Sequence, residues 1–182
     1  MEPKPNPRED SYFFHLFGRG NHQERIVLDD KDRAAFLYYL GRVVRRLDWS
    51  CLAYCLMDNH FHILIRAGKS TVPRGLQSFK GAHARRFNRV HHLRGHLFET
   101  NPGPRVIRNE TYLFTALKYV LLNPVGAGCC TDPGGWEWSS FRGTVVEGAG
   151  PDWFDPTAVL SMFREDRESA RRRFREFVMA KG

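Results

Sequence analysis

Two apolar runs separated by a two-residue turn constrain the fold of this 182-residue chain more than any other feature. The runs are WSCLAYCLM at 49–57 and HFHILIRA at 60–67, and Asp58-Asn59 lies between them. Short runs of this kind, joined by a tight turn, predict an antiparallel β-hairpin, although Asn-Gly would be a stronger turn signal. One face of such a hairpin must be buried, so helices elsewhere in the chain are expected to cover it.

The segments around the hairpin predict further strands and helices. YFFHLFGRG at 12–20 predicts a strand, and 29–47 predicts a helix because acidic residues begin it and basic residues end it. Apolar residues also recur in 29–47 at helical spacing. The other predicted elements are a helix over 72–92, an extended stretch with a short edge strand over 96–108, a helix capped by Asn109 and ending at Pro124, and a helical section from Asp155-Pro156 to about Met179, either two short helices or one frayed helix.

This order of elements, β-α-β-β-α-β-α with a helical tail, predicts an α+β fold. The expected architecture is a ferredoxin-like or RRM-like antiparallel sheet with helices on one face, which leaves the other face free for a ligand. We predict a flexible N-terminal arm over 1–10, which has three prolines and no apolar block, a folded domain over 11–146 and a helical extension over 147–182.

The charge balance indicates a polyanionic partner. Lys and Arg number 28 against 20 acidic residues, which gives a net charge of +8 and a pI near 9.6. Nucleic acid is the usual partner of such a chain, and a membrane surface is the second choice. Arginine clusters favour nucleic acid because guanidinium groups bind phosphate in a bidentate way. No apolar run suits a membrane span or a signal peptide, so we expect a cytoplasmic protein and no membrane partner.

His60 and His62 lie one residue apart in the second strand of the hairpin. Side chains alternate along a strand, so the two imidazoles point the same way, while Phe61, Ile63 and Ile65 point to the opposite face. Such a pair is a common way to present two imidazoles to one metal ion. The alternative is two histidines that are only exposed or hydrogen-bonded.

Tyr119 and Asn123 are four residues apart and therefore fall on one face of the predicted helix. A tyrosine here is consistent with packing, and Asn123 with a helix end before Pro124. For two other groups of residues, four cysteines and three histidines, we expect no metal site. We expect buried free thiols, rather than a zinc site, at Cys51, Cys55, Cys129 and Cys130, and a polar loop, rather than a second metal site, at His91, His92 and His96.

Several motifs, in a common order, resemble the single-tyrosine HUH transposases, and within them the REP-associated tyrosine transposases, which are relatives of insertion-sequence-200-type enzymes. The resemblance covers about residues 11–180. The motifs are FHLFGRGNHQERIVLDDKDR, YCLMDNHFHILI, FKGAHARRFNRVHHLRGHLFE, YVLLNPVGAG, WEWSSFRG and SARRRFREFV.

The resemblance implies that 11–146 is an HUH catalytic domain. It implies a divalent ion, Mg or Mn, bound by His60, His62 and Asn123, although two imidazoles and an amide would by softness favour manganese or zinc. It implies that Tyr119 attacks single-stranded DNA beside a hairpin or palindromic repeat and forms a 5′-phosphotyrosine link. The expected location is the nucleoid-associated cytoplasm, and both a monomer and a homodimer stay open.

Basic residues outside this group are expected to contact DNA. These are Lys80, Arg85, Arg86, Arg89 and Arg105.

The chain departs from the family pattern at three places: Asp58 stands where proline is common, Gly126 where arginine is common, and TNPGPR where a Gly-Arg-basic sequence usually follows GHLFE. These departures affect the expected binding strength and substrate choice more than the chemistry. The alternatives are a catalytically inactive or non-catalytic single-stranded nucleic-acid-binding protein and, third, a metal-dependent hydrolase that uses water.

Overall fold

Four antiparallel strands form one sheet: β1 (Ser11–Arg19), β2 (Ser50–Leu56), β3 (His60–Gly68) and β4 (Arg105–Ile107), in the order β2-β3-β1-β4. The computed structural model describes residues 11–100, 103–163 and 165–180, so the predicted arm over 1–10 lies outside the described residues. Strands β2 and β3 form the hairpin that the sequence predicts, and β3 pairs along its whole length with β1. The short β4 pairs with β1 at the sheet edge.

Helices α1 (Asp30–Arg46) and α2 (Val72–Val90) cover one face of this sheet. The Asp29 carboxylate begins α1 by accepting a hydrogen bond of 2.8 Å from the Asp32 amide. On β3 the alternate residues Phe61, Ile63 and Ile65 are buried against these helices. The predicted direction of these three side chains is therefore confirmed.

Helices also cover the opposite face, whereas the sequence predicted helices on one face only. Here α3 (Glu110–Gly126) crosses β2 and β3, and α4 (Phe141–Val145), α5 (Thr157–Leu160) and α6 (Arg167–Met179) pack around it. The physical reason is that this side of β2 and β3 is also apolar, since Leu52, Ala53, Cys55 and Leu64 all point toward α3 and its neighbours. The α+β antiparallel class itself is confirmed.

Helix α3 continues past Pro124 to Gly126, although the sequence predicted an end at Pro124. Proline removes one helical hydrogen bond because it has no N–H. The Pro124 ring is buried, and the Ala127 N–H still donates to the Asn123 carbonyl at 3.0 Å. Burial and this bond offset the loss, so Asn123 lies inside the helix.

The C-terminal section forms two helices, α5 and α6, which is one of the two arrangements that the sequence left open. The α6 residues Ala170, Phe174 and Val178 are buried in the same core as α3. The division into a domain over 11–146 and an extension over 147–182 stays a prediction. Among the described helices, none combines the length and apolar character that a membrane span requires.

A buried carboxylate ties the start of α1 to the end of α2. Asp32 accepts hydrogen bonds from the Leu28 amide at 3.0 Å, from Arg86 Nη1 at 2.6 Å and from His91 Nε2 at 2.8 Å. The side chain of Asp32 is 1% exposed, so these partners compensate for its lost hydration. Arg86, expected to contact DNA, and His91, expected in a polar loop, therefore have a structural partner in Asp32.

The Leu28 amide binds Asp32, and the two residues before Leu28 bind the turn that precedes His60. The Ile26 and Val27 amides donate to the Asp58 carbonyl at 2.7 and 3.3 Å. The Asp58 carboxylate accepts a hydrogen bond from the half-buried guanidinium of Arg33. This ion pair gives Asp58, a departure from the family pattern, a structural role.

His83 on α2 provides a test of stability against pH. Its ring is fully buried beside Phe36 and Phe87, its Nε2–H donates to the Ile26 carbonyl at 2.8 Å, and burial lowers its pKa below the ordinary value. Between its folded and unfolded pKa values the unfolded chain binds more protons, so the free energy of unfolding falls as the pH drops below about 6.5.

We expect His83→Phe to lower the free energy of unfolding at pH 7 by about 1 kcal/mol, because the Ile26 carbonyl loses its partner. The variant is also expected to lose less stability than the parent between pH 7 and pH 5. Urea denaturation across this range measures both effects. His96→Gln, which removes an exposed histidine, is the control. A parallel pH dependence for His83→Phe and the parent protein would contradict the prediction.

Candidate metal and nucleophile site

His60 and His62 lie on the face of β3 that α3 covers. The side chains approach Asn123 and Tyr119, which α3 presents one turn apart. His60 Nε2 is 2.9 Å from Asn123 Oδ1, and His62 Nε2 is 3.4 Å from the Tyr119 hydroxyl. The structure therefore brings together all four residues that the sequence selected, from segments that are 57 to 63 positions apart in the chain.

The hydrogen bonds of Asn59 determine which nitrogen of His60 carries the proton. The Asn59 Nδ2 amide donates to the Gln23 carbonyl at 3.1 Å, so its Oδ1 faces His60 Nδ1 at 2.7 Å and accepts the proton there. Nε2 of the neutral ring then carries a lone pair toward Asn123 Oδ1, which is also an acceptor. Two acceptors that face one another repel. A rotation of the Asn123 side-chain amide by about 180°, or a cation between the two atoms, removes this repulsion.

The donor set fits a divalent ion. Two ligands that each lie about 2.1 Å from an ion, at right angles to one another, are about 3.0 Å apart. The distance of 2.9 Å between His60 Nε2 and Asn123 Oδ1 matches that arrangement. His62 Nε2 lies 3.4 Å from the Tyr119 hydroxyl, and the His62 ring centroid lies 5.3 Å from that of His60.

His15 belongs to this group and was missed in the sequence. Its Nε2 lies 2.9 Å from His62 Nδ1, and its side chain is only 7% exposed. Alternation along β1 puts His15 on the same face as Phe17 and Arg19, and the observed register places Arg19 opposite His60. The unpredicted information was that β1 pairs directly with β3.

The three histidines are held neutral. Burial, followed by the charge of Arg105, lowers the pKa of His15 to about 4. Burial also lowers the pKa of His62 to about 3, with smaller contributions from His15, His60 and Arg19, and it lowers the pKa of His60. Lone pairs are therefore available at pH 7, and two arginines supply positive potential beside them.

A cleft of about 430 Å³ opens beside Tyr119, between α3 and the β1–β4 half of the sheet. Its floor includes His15 and Phe17, and its helical wall includes Tyr112 and Tyr119. Arg105, one of the predicted DNA contacts, lies at this cleft with its guanidinium 5.2 Å from the Phe17 ring centroid. Tyr119 is 53% exposed, so its hydroxyl is accessible.

The other four predicted DNA contacts lie on α2, which packs on the opposite face of the sheet. Lys80 lies over the Phe98 ring at 4.9 Å, and burial lowers its pKa. Arg85 lines a groove between α1 and α2, Arg89 is exposed, and Arg86 binds Asp32. None of these four side chains reaches the cleft beside Tyr119.

The expectation of buried free thiols is correct for Cys51 and Cys55 and wrong for Cys129, which is exposed, while Cys130 is half-buried. Burial raises the pKa of Cys51 and Cys55, so both thiols stay protonated. Within the described part of the chain, no three or more His, Cys, Asp or Glu side chains are grouped to hold an ion.

The chain belongs to the IS200-like transposases, because the sequence model of the family described as Transposase IS200 like matches residues 11–101, half of the chain. A search of curated proteins gives no match. Family membership supports an enzyme that acts on DNA, as the sequence predicted.

The solved structures similar to this one include two that are described as transposases. The first is a REP-associated tyrosine transposase bound to a REP hairpin, with a TM-score of 0.61, 18% identity, and coverage of 83% of this chain and 88% of that chain. The second is a candidate transposase from Deinococcus radiodurans R1, with a TM-score of 0.46, 18% identity, and coverage of 68% and 96%. The first confirms the predicted fold, while the roles of individual residues stay predictions.

Arg86 is paired with a buried carboxylate whereas Arg89 is exposed, so we expect their removal to affect stability to different extents. We expect Arg86→Ala to lower the free energy of unfolding by about 2 kcal/mol, because it leaves the buried Asp32 carboxylate short of a partner. Arg89→Ala, a change of the same kind one turn further along α2, is expected to stay within about 0.5 kcal/mol of the parent protein. Urea denaturation at neutral pH compares them, and equal losses would contradict the structural role of Arg86.

Proposed function

We propose that this protein is a transposase that cleaves and rejoins single-stranded DNA through a covalent bond between Tyr119 and a 5′-phosphate. The observation that carries the proposal is that the Tyr119 hydroxyl lies 3.4 Å from His62 Nε2, while His60 Nε2 lies 2.9 Å from Asn123 Oδ1. The proposed substrate is DNA with a hairpin or palindromic repeat. A similar fold is described as bound to a REP hairpin, which supports this substrate class. The nucleoid-associated cytoplasm is the matching location.

In the proposed reaction the Tyr119 oxygen attacks phosphorus and the 3′-oxygen of the neighbouring nucleotide leaves. One phosphodiester bond is exchanged for one phosphotyrosine bond, and the phenolic proton passes to solvent at the exposed hydroxyl. Attack by the 3′-hydroxyl of a second strand reverses the step and releases Tyr119. No nucleotide cofactor is needed because the phosphodiester energy is retained.

The proposed cofactor is one divalent ion, Mg or Mn, held by His60, His62 and Asn123. When bound, it would withdraw charge from the phosphate oxygens and assist departure of the 3′-oxygen. The chain itself supplies the alignment, since Tyr119 and Asn123 project from the same side of one helix. Arg19 and Arg105 favour the approach of the anionic backbone, as their effects on the histidine pKa values indicate.

A labelled hairpin oligonucleotide with single-stranded arms tests the nucleophile. The 5′-phosphate becomes attached to the protein, so a label at the 3′ end must enter an adduct that resists SDS when Mn²⁺ is present. We expect Tyr119→Phe to abolish the adduct, and Tyr38→Phe, on the exposed side of α1, to leave it unchanged. Continued cleavage by Tyr119→Phe would indicate a hydrolase that uses water. Binding with no adduct on a panel of hairpins would indicate a non-catalytic binder.

His15 is the proposed positioning residue for His62. If His15 Nε2 accepts the proton on His62 Nδ1, the lone pair of His62 stays on Nε2, which faces the Tyr119 hydroxyl. We expect His15→Leu to weaken Mn²⁺ binding at least about tenfold, because the proton can then move to Nε2. His15→Gln, which retains an acceptor, is expected to bind Mn²⁺ more tightly than His15→Leu.

Mn²⁺ binding is measured by electron paramagnetic resonance on DNA-free protein. Urea denaturation of both variants without metal shows whether the fold is equally stable. A merely structural role would lower stability and leave the affinity of the folded protein for Mn²⁺ unchanged. Equal Mn²⁺ affinity in His15→Leu and His15→Gln would contradict the positioning role.

A further inference from the structure

The cleft beside Tyr119 is larger than the metal and nucleophile group requires. Its floor is the β1 side of the sheet, which α3 leaves uncovered because the helix crosses β2 and β3 instead. The cleft volume of about 430 Å³ lies in the range of pockets that hold a small organic ligand. Neither the proposed metal ligands nor the attack by Tyr119 accounts for the cleft residues Phe17, Tyr112 and Thr115.

Together with Arg105, these residues combine aromatic rings with a cation. Phe17 lies on the floor with Arg105 over its ring, and Tyr112 lies on α3 two turns before Tyr119. Tyr112 is 42% exposed although it is aromatic, so much of its surface is available to a ligand. Thr115 adds a hydroxyl to the same wall, and this hydroxyl donates to the Thr111 carbonyl.

We propose that this cleft is a stacking subsite for one unpaired base of single-stranded DNA, next to the phosphate that Tyr119 attacks. Aromatic faces accept any base by stacking, and a neighbouring arginine binds the phosphate that links that base to the next. The subsite rests on the proposed function, since it opens directly onto the Tyr119 hydroxyl. The occupant is a nucleotide rather than an apolar peptide, because Arg105 lines the cleft and the chain carries a net charge of +8.

Stacking in this cleft would also explain why the DNA must be single-stranded there. A paired base has both faces covered by its neighbours in the duplex, and it cannot leave the stack without a cost in free energy. A base that has left the stack would orient its own phosphate toward Tyr119. The subsite thus contributes positioning, while the chemistry stays with Tyr119 and the histidines.

The test combines removal of the ring with removal of the base. The probe is a fluorescein-labelled hairpin oligonucleotide with thymidine arms, in which an abasic site replaces each arm nucleotide in turn. Binding is measured by anisotropy on the Tyr119→Phe background with EDTA, so that neither cleavage nor metal affects the result. The ring variants are Phe17→Leu and Tyr112→Leu, and Tyr38→Leu on the opposite face is the matched control.

We expect each ring variant to weaken binding about tenfold on the intact probe, and one abasic position to weaken binding of the Tyr119→Phe protein by a similar factor. In combination the losses should not multiply, because the base and the ring lose the same contact. Tyr38→Leu should bind like the Tyr119→Phe protein. Circular dichroism and urea denaturation check that the variants are folded.

Two results would overturn the subsite. In one, ring variants bind every probe like the control. In the other, the losses from ring and base multiply at every abasic position, which shows that the contacts are independent. The adduct assay decides the proposed function separately: an adduct formed at Tyr119 together with either of these results rejects the subsite alone. Absence of an adduct, together with coupled losses in binding, rejects the reaction and retains the stacking contact.

Discussion

The pairing of β1 with β3 is the constraint on which the site depends. Its register places Phe17 opposite His62 and Arg19 opposite His60, and alternation then puts His15 on the same face. A slip of one residue would turn His15, Phe17 and Arg19 into the apolar layer beneath α1 and α2. Burial of the alternate residues against these helices opposes such a slip, so the stability of the core specifies the arrangement of the polar face.

The polar face of the sheet, which carries His15, His60 and His62, combines lone pairs with positive potential from nearby arginines. This combination suits a phosphate ligand. His15, His60 and His62 lie close together, partly buried and neutral, and the charges of Arg19 and Arg105 act on them. In this state the site has lone pairs and positive potential together. On the proposed function, a divalent ion would satisfy the lone pairs and a phosphate would satisfy the positive potential, so each would favour binding of the other.

Local patterns predicted most of the fold and selected four residues that meet at the site, His60, His62, Tyr119 and Asn123, but not His15. The hairpin, α1 and the directions of His60 and His62 followed from spacing alone. His15 could not be placed because strand neighbours are determined by long-range packing, and the second helical layer was missed because its apolar strand face was assigned to a ligand. Arg86 was assigned to DNA because nothing in its local sequence indicates the buried carboxylate of Asp32, 54 positions earlier.

Helix α3 carries both Tyr119 and Asn123, and it is continuous through Pro124. The two side chains therefore share one rigid support and cannot be repositioned independently. On the proposed mechanism, any displacement of this helix would withdraw the attacking oxygen and one metal donor at once.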